Sequence, residues 1–193
     1  MLQNWDFYMH RVSKESASVI DEIVSIPMLH MTALAPELHL YVGSLDKVRK
    51  LRHQLSGLCR YLNACKKVAE AEGWHRAISK FKNKEYLLEH TDIYSVQDLV
   101  RVHMSLMVPE LKDCVNEGIS HVKSCSVCQG QAFICEICNQ GPALFPFQVD
   151  RIWKCPKCSS VYHLICKPAT THCPRCLRLS SRRHTATEPL NVN

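Results

Sequence analysis

The chain has 193 residues, 46% of them hydrophobic, with a formal charge of +6 and twelve cysteines. That apolar share and moderate charge exclude a disordered tail and allow one or two compact units, while no run approaches the ~20 apolar residues of a membrane span. Residues 1–10 have neither a basic start nor an apolar core, so they do not read as a signal peptide; in the cytosolic, reducing setting this implies, so many cysteines point to metal rather than disulfides.

Up to about residue 121 the pattern is helical. Ser13 is an N-cap for a first helix with Ala17, Ile20, Ile23 and Val24 on one face, stopped by Pro27. A second helix starts near Ser44. Leu45, Val48, Leu51, Leu55, Leu58, Leu62, Cys65 and Ala69 recur at three- and four-residue steps, and Gly73 serves as its C-terminal stop. Trp74, Ile78, Phe81 and Leu88 mark a third helix. Ser95 and Asp98 form a capping box that opens a fourth, with Val96, Leu99, Val100 and His103. Pro109 and Gly118 bracket a fifth. Bundle packing is the commoner use of such a leucine stripe than a coiled-coil seam. Cys59, Cys65 and Cys114, without partners at ligand spacing, read as buried apolar residues.

Charge is uneven along the chain. Residues 47–84 hold eleven Lys or Arg against Glu70 and Glu72. Residues 151–183 hold eight and no acid, and residues 85–117 hold seven acids against Arg101 and Lys112. Most single charges of this kind solvate helix faces. Together the basic stretches suit an acidic partner or, weakly, an anionic membrane surface; nucleic acid is not expected. The formal charge counts thiols as neutral, and nine thiolates with two or three zinc ions would leave about +1 or +3.

From Cys125 onward the chain reads as loops and hairpins around metal. Five ligand pairs fall within 52 residues: Cys125/Cys128, Cys135/Cys138, Cys155/Cys158, His163/Cys166 and Cys173/Cys176. A C-x2-C knuckle aims two sulfurs at one tetrahedral ion, and two knuckles close a site. The last four pairs suggest a cross-brace, with Cys135, Cys138, His163 and Cys166 on one zinc and Cys155, Cys158, Cys173 and Cys176 on another. Cys125/Cys128 then either bind a third zinc with His121 or another donor, or pair with Cys135/Cys138. All ten donors are committed to closed sites, and no Asp or Glu lies between Cys155 and Cys176. Structural zinc, two or three ions, is therefore expected, with no catalytic residues and no enzyme activity. Leu144-Phe145-Pro146-Phe147 is either a small finger core or an exposed hydrophobic wedge.

The expected fold is mainly α, with a small zinc-stabilised α+β region. A helical bundle over 1–121 precedes a multi-zinc module over 122–183, and 184–193 form a disordered tail.

Several of these residues together resemble the Rubicon homology domain. They are Cys125-Ser-Val-Cys128, the run from Gly130 to Cys138, Leu144-Phe-Pro-Phe147, Tyr162-His163 and Cys173-Pro-Arg-Cys176. Upstream, Asn4-Trp5-Asp6-Phe7, Val48-Arg-Lys-Leu-Arg52 and Tyr94-Ser-Val-Gln-Asp-Leu99 also match. The first and last of these are most similar to the differentially-expressed-in-FDCP branch. The resemblance implies an adaptor domain that binds a late-endosomal Rab GTPase in its GTP form. It also implies a cytoplasmic protein, peripheral on late endosomes, lysosomes or autophagosomes. In this family a phorbol-ester-type finger or pleckstrin and RUN domains usually precede the domain. RING, PHD and FYVE modules, acting as ubiquitin ligase, histone-tail reader or phosphoinositide reader, are the alternative. Four residues separate Cys158 from His163, more than a RING usually has. The basic FYVE run is absent, and Thr170, Thr171 and His172 stand where a PHD finger carries an aromatic.

Overall fold

The computed structural model describes residues 5–7, 11–167 and 173–185. Asn4, Thr170, Thr171, His172 and the tail beyond 185 lie outside the described residues. The chain is mainly helical and divides into two compact units, Met1–Gln129 and Gly130–Asn193.

In the first unit, Ser13 caps α1 (Lys14–Ile23) by accepting a bond from the Ser16 N–H. None of its residues is fully buried, although Ala17 and Ile23 on its apolar face are half-buried. Strand β1 (Leu29–His30) and two single turns, α2 (Met31–Leu34) and α3 (Leu38–Tyr41), lead into α4 (Gly43–Asn63). Leu45, Val48, Leu55, Leu58 and Leu62 of α4 are fully buried, as a 3.6-residue stripe requires. The helix ends at Asn63, ten residues before Gly73. Ala69 lies beyond it and is exposed.

Gly73 instead sits inside α5 (Glu72–Ser79). A short α6 (Tyr86–Glu89) and β2 (Ile93–Tyr94) follow, and β2 pairs antiparallel with β1 in the register Leu29↔Tyr94. The Ser95–Asp98 capping box opens α7 (Val96–His103), whose end packs against the rings of Trp5 and Phe7. Pro109 lies in the first turn of α8 (Met107–Ser124).

Gly118 does not stop α8. It is buried in mid-helix, where a Cβ would collide with Leu58 of α4 and come within 2.9 Å of the Trp74 ring. The missing side chain is what lets α4, α5 and α8 approach one another. The position 121/122 therefore falls inside a helix. The unit continues through α9 (Ser126–Gly130) to Gln129 because Cys125 and Cys128 fold back onto it.

The second unit is built on a hairpin of β3 (Ile152–Lys154) and β4 (Val161–His163), in the register Ile152↔His163 and Lys154↔Val161. Phe133 and Leu144 exchange two backbone hydrogen bonds of 2.8 Å. Leu144, Ile152, Val161 and Tyr162 form a small core with Cys135, Cys155 and Cys173. Phe145 and Phe147 stack at 5.4 Å and are buried, so they are not an exposed wedge. Helix α10 (Pro174–Thr185) ends the described chain and carries the backbone past residue 183 as helix.

Candidate metal centres

Four C-x2-C turns share one backbone device. The N–H of Gln129, Asn139, Ser159 and Leu177 donates to the carbonyl of Cys125, Cys135, Cys155 and Cys173 respectively, four residues back, at 2.8–3.0 Å. Asn139 and Ser159, next after Cys138 and Cys158, take left-handed φ values of 50° and 58°. Each turn thus curls so that both of its sulfurs face the same point.

The structure gathers the donors into three tetrads, in each of which all ligand atoms lie within 4.8 Å of one another: Cys65/His121/Cys125/Cys128, Cys135/Cys138/His163/Cys166 and Cys155/Cys158/Cys173/Cys176. The two tetrads of the second unit follow the cross-brace partition. The hairpin explains this, because β3 leads into the Cys155–Cys158 turn while β4 carries the chain back to His163 at the opposite end. Cys125/Cys128 do not pair with Cys135/Cys138.

Cys65 corrects the sequence reading. It is buried, but it is not merely an apolar filler: its Sγ lies 3.5 Å from His121 Nε2 and 3.7 Å from Cys125 Sγ. It sits just past α4, His121 is on α8, and Cys125 follows α8, so the tetrad ties together the ends of the two longest helices. Its separation from Cys125 leaves no local spacing to detect. Within this tetrad, local spacing marks only His121, Cys125 and Cys128.

The separations match the edges of a zinc tetrahedron. Zn–S bonds of 2.3 Å give an S···S edge of about 3.8 Å, and a Zn–N bond of 2.0–2.1 Å gives an S···N edge of about 3.6 Å. The Sγ···Sγ distances are 3.7 Å for Cys65–Cys125, 3.7 Å for Cys155–Cys176 and 3.5 Å for Cys158–Cys173. His163 Nδ1 is 3.4 Å from Cys138 Sγ and 3.8 Å from Cys166 Sγ. A disulfide would need sulfurs about 2 Å apart, and every cysteine is free. The donor set of soft sulfur and imidazole suits zinc.

The thiols of the three tetrads are shifted in both directions. Hydrogen bonding with Ser160 brings the Cys158 thiol down to about 6. Burial opposes ionisation of Cys135, but backbone groups of Cys138, His163 and Ile137 outweigh it and bring that thiol to about 6 as well. Cys128 and Cys176 are pushed up to about 12, by burial first and then by neighbouring sulfurs. Thiols crowded together resist becoming anionic together, and a divalent ion at their centre would reverse that.

The surroundings support the donors. The Tyr162 hydroxyl is 3.1 Å from Cys173 Sγ. Tyr61 donates its hydroxyl hydrogen to the Cys128 carbonyl. Gly141, at φ 89°, brings its backbone against the His163 ring, where a Cβ would come within 3.2 Å.

The description "Rubicon Homology Domain" attaches to a family model that matches residues 1–181. The chain belongs to the Rubicon homology domain family. It is 36% identical over 178 residues to pleckstrin homology domain-containing family M member 3 of Xenopus laevis, covering 92% of this chain and 23% of that protein. It is 31% identical to human protein associated with UVRAG as autophagy enhancer, covering 95% and 27%. It is 32% identical to the Drosophila melanogaster homolog of differentially expressed in FDCP 8, covering 95% and 37%. The chain thus spans only about a quarter to a little over a third of these relatives' lengths. No helix among the described residues is long and apolar enough to cross a membrane.

Proposed function

We propose that this chain is a non-enzymatic, zinc-binding adaptor module that binds a late-endosomal Rab GTPase in its GTP form, in autophagosome or endosome traffic to lysosomes. Membership of the Rubicon homology family across residues 1–181 is the observation that carries the reading, and the autophagy role named for one relative is in keeping with it. The three tetrads supply the zinc part. Each offers four donors, a full structural set, and so resembles a closed site rather than an open catalytic one.

A physical argument favours nucleotide sensing. GTP orders the switch loops of a Rab, and loss of the γ-phosphate releases them. A partner that touches the ordered loops gains differential affinity for that state. A helical unit clamped at the ends of α4 and α8 presents side chains with little ordering entropy left to lose. The work would take place on the cytoplasmic face of late endosomes, lysosomes or autophagosomes.

The test is a titration against a panel of Rab proteins loaded with a non-hydrolysable GTP analogue or with GDP. Stoichiometric binding that favours the GTP form, with the GTPase rate unchanged, is expected. Equal affinity for both forms would reject an effector.

A further inference from the structure

Ile165 is the most exposed large apolar side chain among the described residues, at 94%, and its neighbour Leu164 is 47% exposed. Single exposed apolar residues are ordinary on protein surfaces. This pair differs in being held out by its frame. It forms a one-turn 3-10 segment, Leu164–Cys166, directly after β4 and between the donors His163 and Cys166.

Two cations flank the pair. The Leu164 N–H donates to the Arg151 carbonyl at 2.8 Å, and the Lys167 N–H donates to the Leu164 carbonyl at 3.2 Å. Arg151 and Lys167 are both exposed, and neither forms an ion pair among the described residues. Beyond them, residues 151–185 contain no Asp or Glu at all. The exposed apolar pair is therefore bonded through its backbone to two residues that carry exposed cations.

We propose that the Leu164–Ile165 tip is a membrane-docking point, dipping into the headgroup region of an anionic bilayer while Arg151 and Lys167 meet lipid phosphates and carboxylates. Apolar insertion and electrostatic attraction add in interfacial binding. Each well-placed cation contributes about fivefold in partitioning, and burying most of an isoleucine side chain about tenfold or more. Neither alone anchors a protein. Together they orient a module that a membrane-bound partner also holds.

Co-sedimentation of the full chain with phosphatidylserine-rich vesicles and with phosphatidylcholine vesicles tests this. Binding to the anionic vesicles only, weakened by salt, is expected. Ile165→Ser should lower it about tenfold, and the pair Arg151→Gln and Lys167→Gln by a larger factor with a flatter salt dependence. Leu40→Ser, which alters another strongly exposed apolar side chain, at 79%, in the helical unit, should leave it unchanged. All four positions are exposed, so folding is spared. Absence of binding to anionic vesicles overturns the proposal, as does equal binding to phosphatidylcholine, or a Leu40→Ser loss equal to that of Ile165→Ser. If Ile165→Ser leaves vesicle binding intact but weakens binding to a GTP-loaded Rab, the tip is a protein contact and the lipid assignment fails.

Discussion

Cys65 Sγ and His121 Nε2 stand 3.5 Å apart although 56 residues separate them in sequence. With Cys125 and Cys128 they bring the end of α4 to the end of α8, so the helical unit has a candidate metal site of its own. Structural zinc contributes folding free energy on the order of 10 kcal/mol per site in small fingers. Metal analysis should therefore find three zinc ions per chain, and Cys65→Ser two. Hydrogen exchange should show the Cys65→Ser loss as faster exchange in α4 and α8, with β3 and β4 unaffected. A strong chelator should loosen both units. A folded chain without metal, or a Cys65→Ser chain that keeps three ions, would contradict this.

Tyr162 and Cys173 test the support around one tetrad. Tyr162 is fully buried, and its hydroxyl is pushed up to about 12, by burial first and then by its bond with Cys173. It stays protonated at neutral pH and can donate to the sulfur. Tyr162→Phe keeps the ring and removes that donor. Outer-shell partners of metal ligands are worth roughly tenfold to a hundredfold in affinity. Chelator competition should show one of three zinc ions leaving at least about tenfold more readily. Unchanged release of all three would leave the hydroxyl with a packing role alone.

Gly118 is a case where two effects of opposite sign compete. Alanine favours a helix over glycine by about 1 kcal/mol. Against that, a Cβ at 118 meets Leu58 and Trp74, both buried, and overpacking typically costs about 1–3 kcal/mol. Gly118→Ala should be destabilising on balance. Gly43→Ala, at the start of α4 with nothing within 4 Å of the new methyl, should be neutral or stabilising. Urea unfolding of the two variants side by side checks the contrast. The same sign for both would mean that close approach at Gly118 is not what limits packing there.

These residues also show what is legible in a sequence. Ser13 and Ser95 were readable because an N-cap is made within four residues. The C-x2-C turns were readable for the same reason, and two of the three groupings followed from their order. Cys65 was not, because its partners come from another helix. Gly73 and Gly118 read as helix stops, since glycine at a C-terminus and glycine at a helix crossing look alike until the crossing partner is known. Arg52 counted as one more surface charge in a basic stretch, and it is fully buried.

Arg52 leads to the last prediction. Its Nε donates to the Leu87 carbonyl at 3.0 Å, and its Nη2 to the carbonyls of His90 at 2.6 Å and Ile93 at 2.9 Å. The guanidinium carbon lies 4.2 Å from the centroid of the Tyr94 ring. No carboxylate pairs with it among the described residues. Its partners are carbonyls at the end of α6 and in the segment that runs on into β2; the last carbonyls of a helix have no helical donor of their own, and that of His90 accepts otherwise, among the described residues, only the Ile93 N–H at 3.1 Å. A planar fork can reach several such oxygens at once, and an ammonium cannot. Arg52→Met should cost about 3–5 kcal/mol, because each buried carbonyl left without a donor costs about 1–3 kcal/mol and the losses overlap. Arg52→Lys should recover less than half of that. Tyr94→Leu, which removes the ring face, should cost less than Arg52→Met. Urea midpoints at constant zinc measure all three. An Arg52→Lys variant as stable as the parent would show that charge alone, rather than the fork, joins α4 to the segment between α6 and α7.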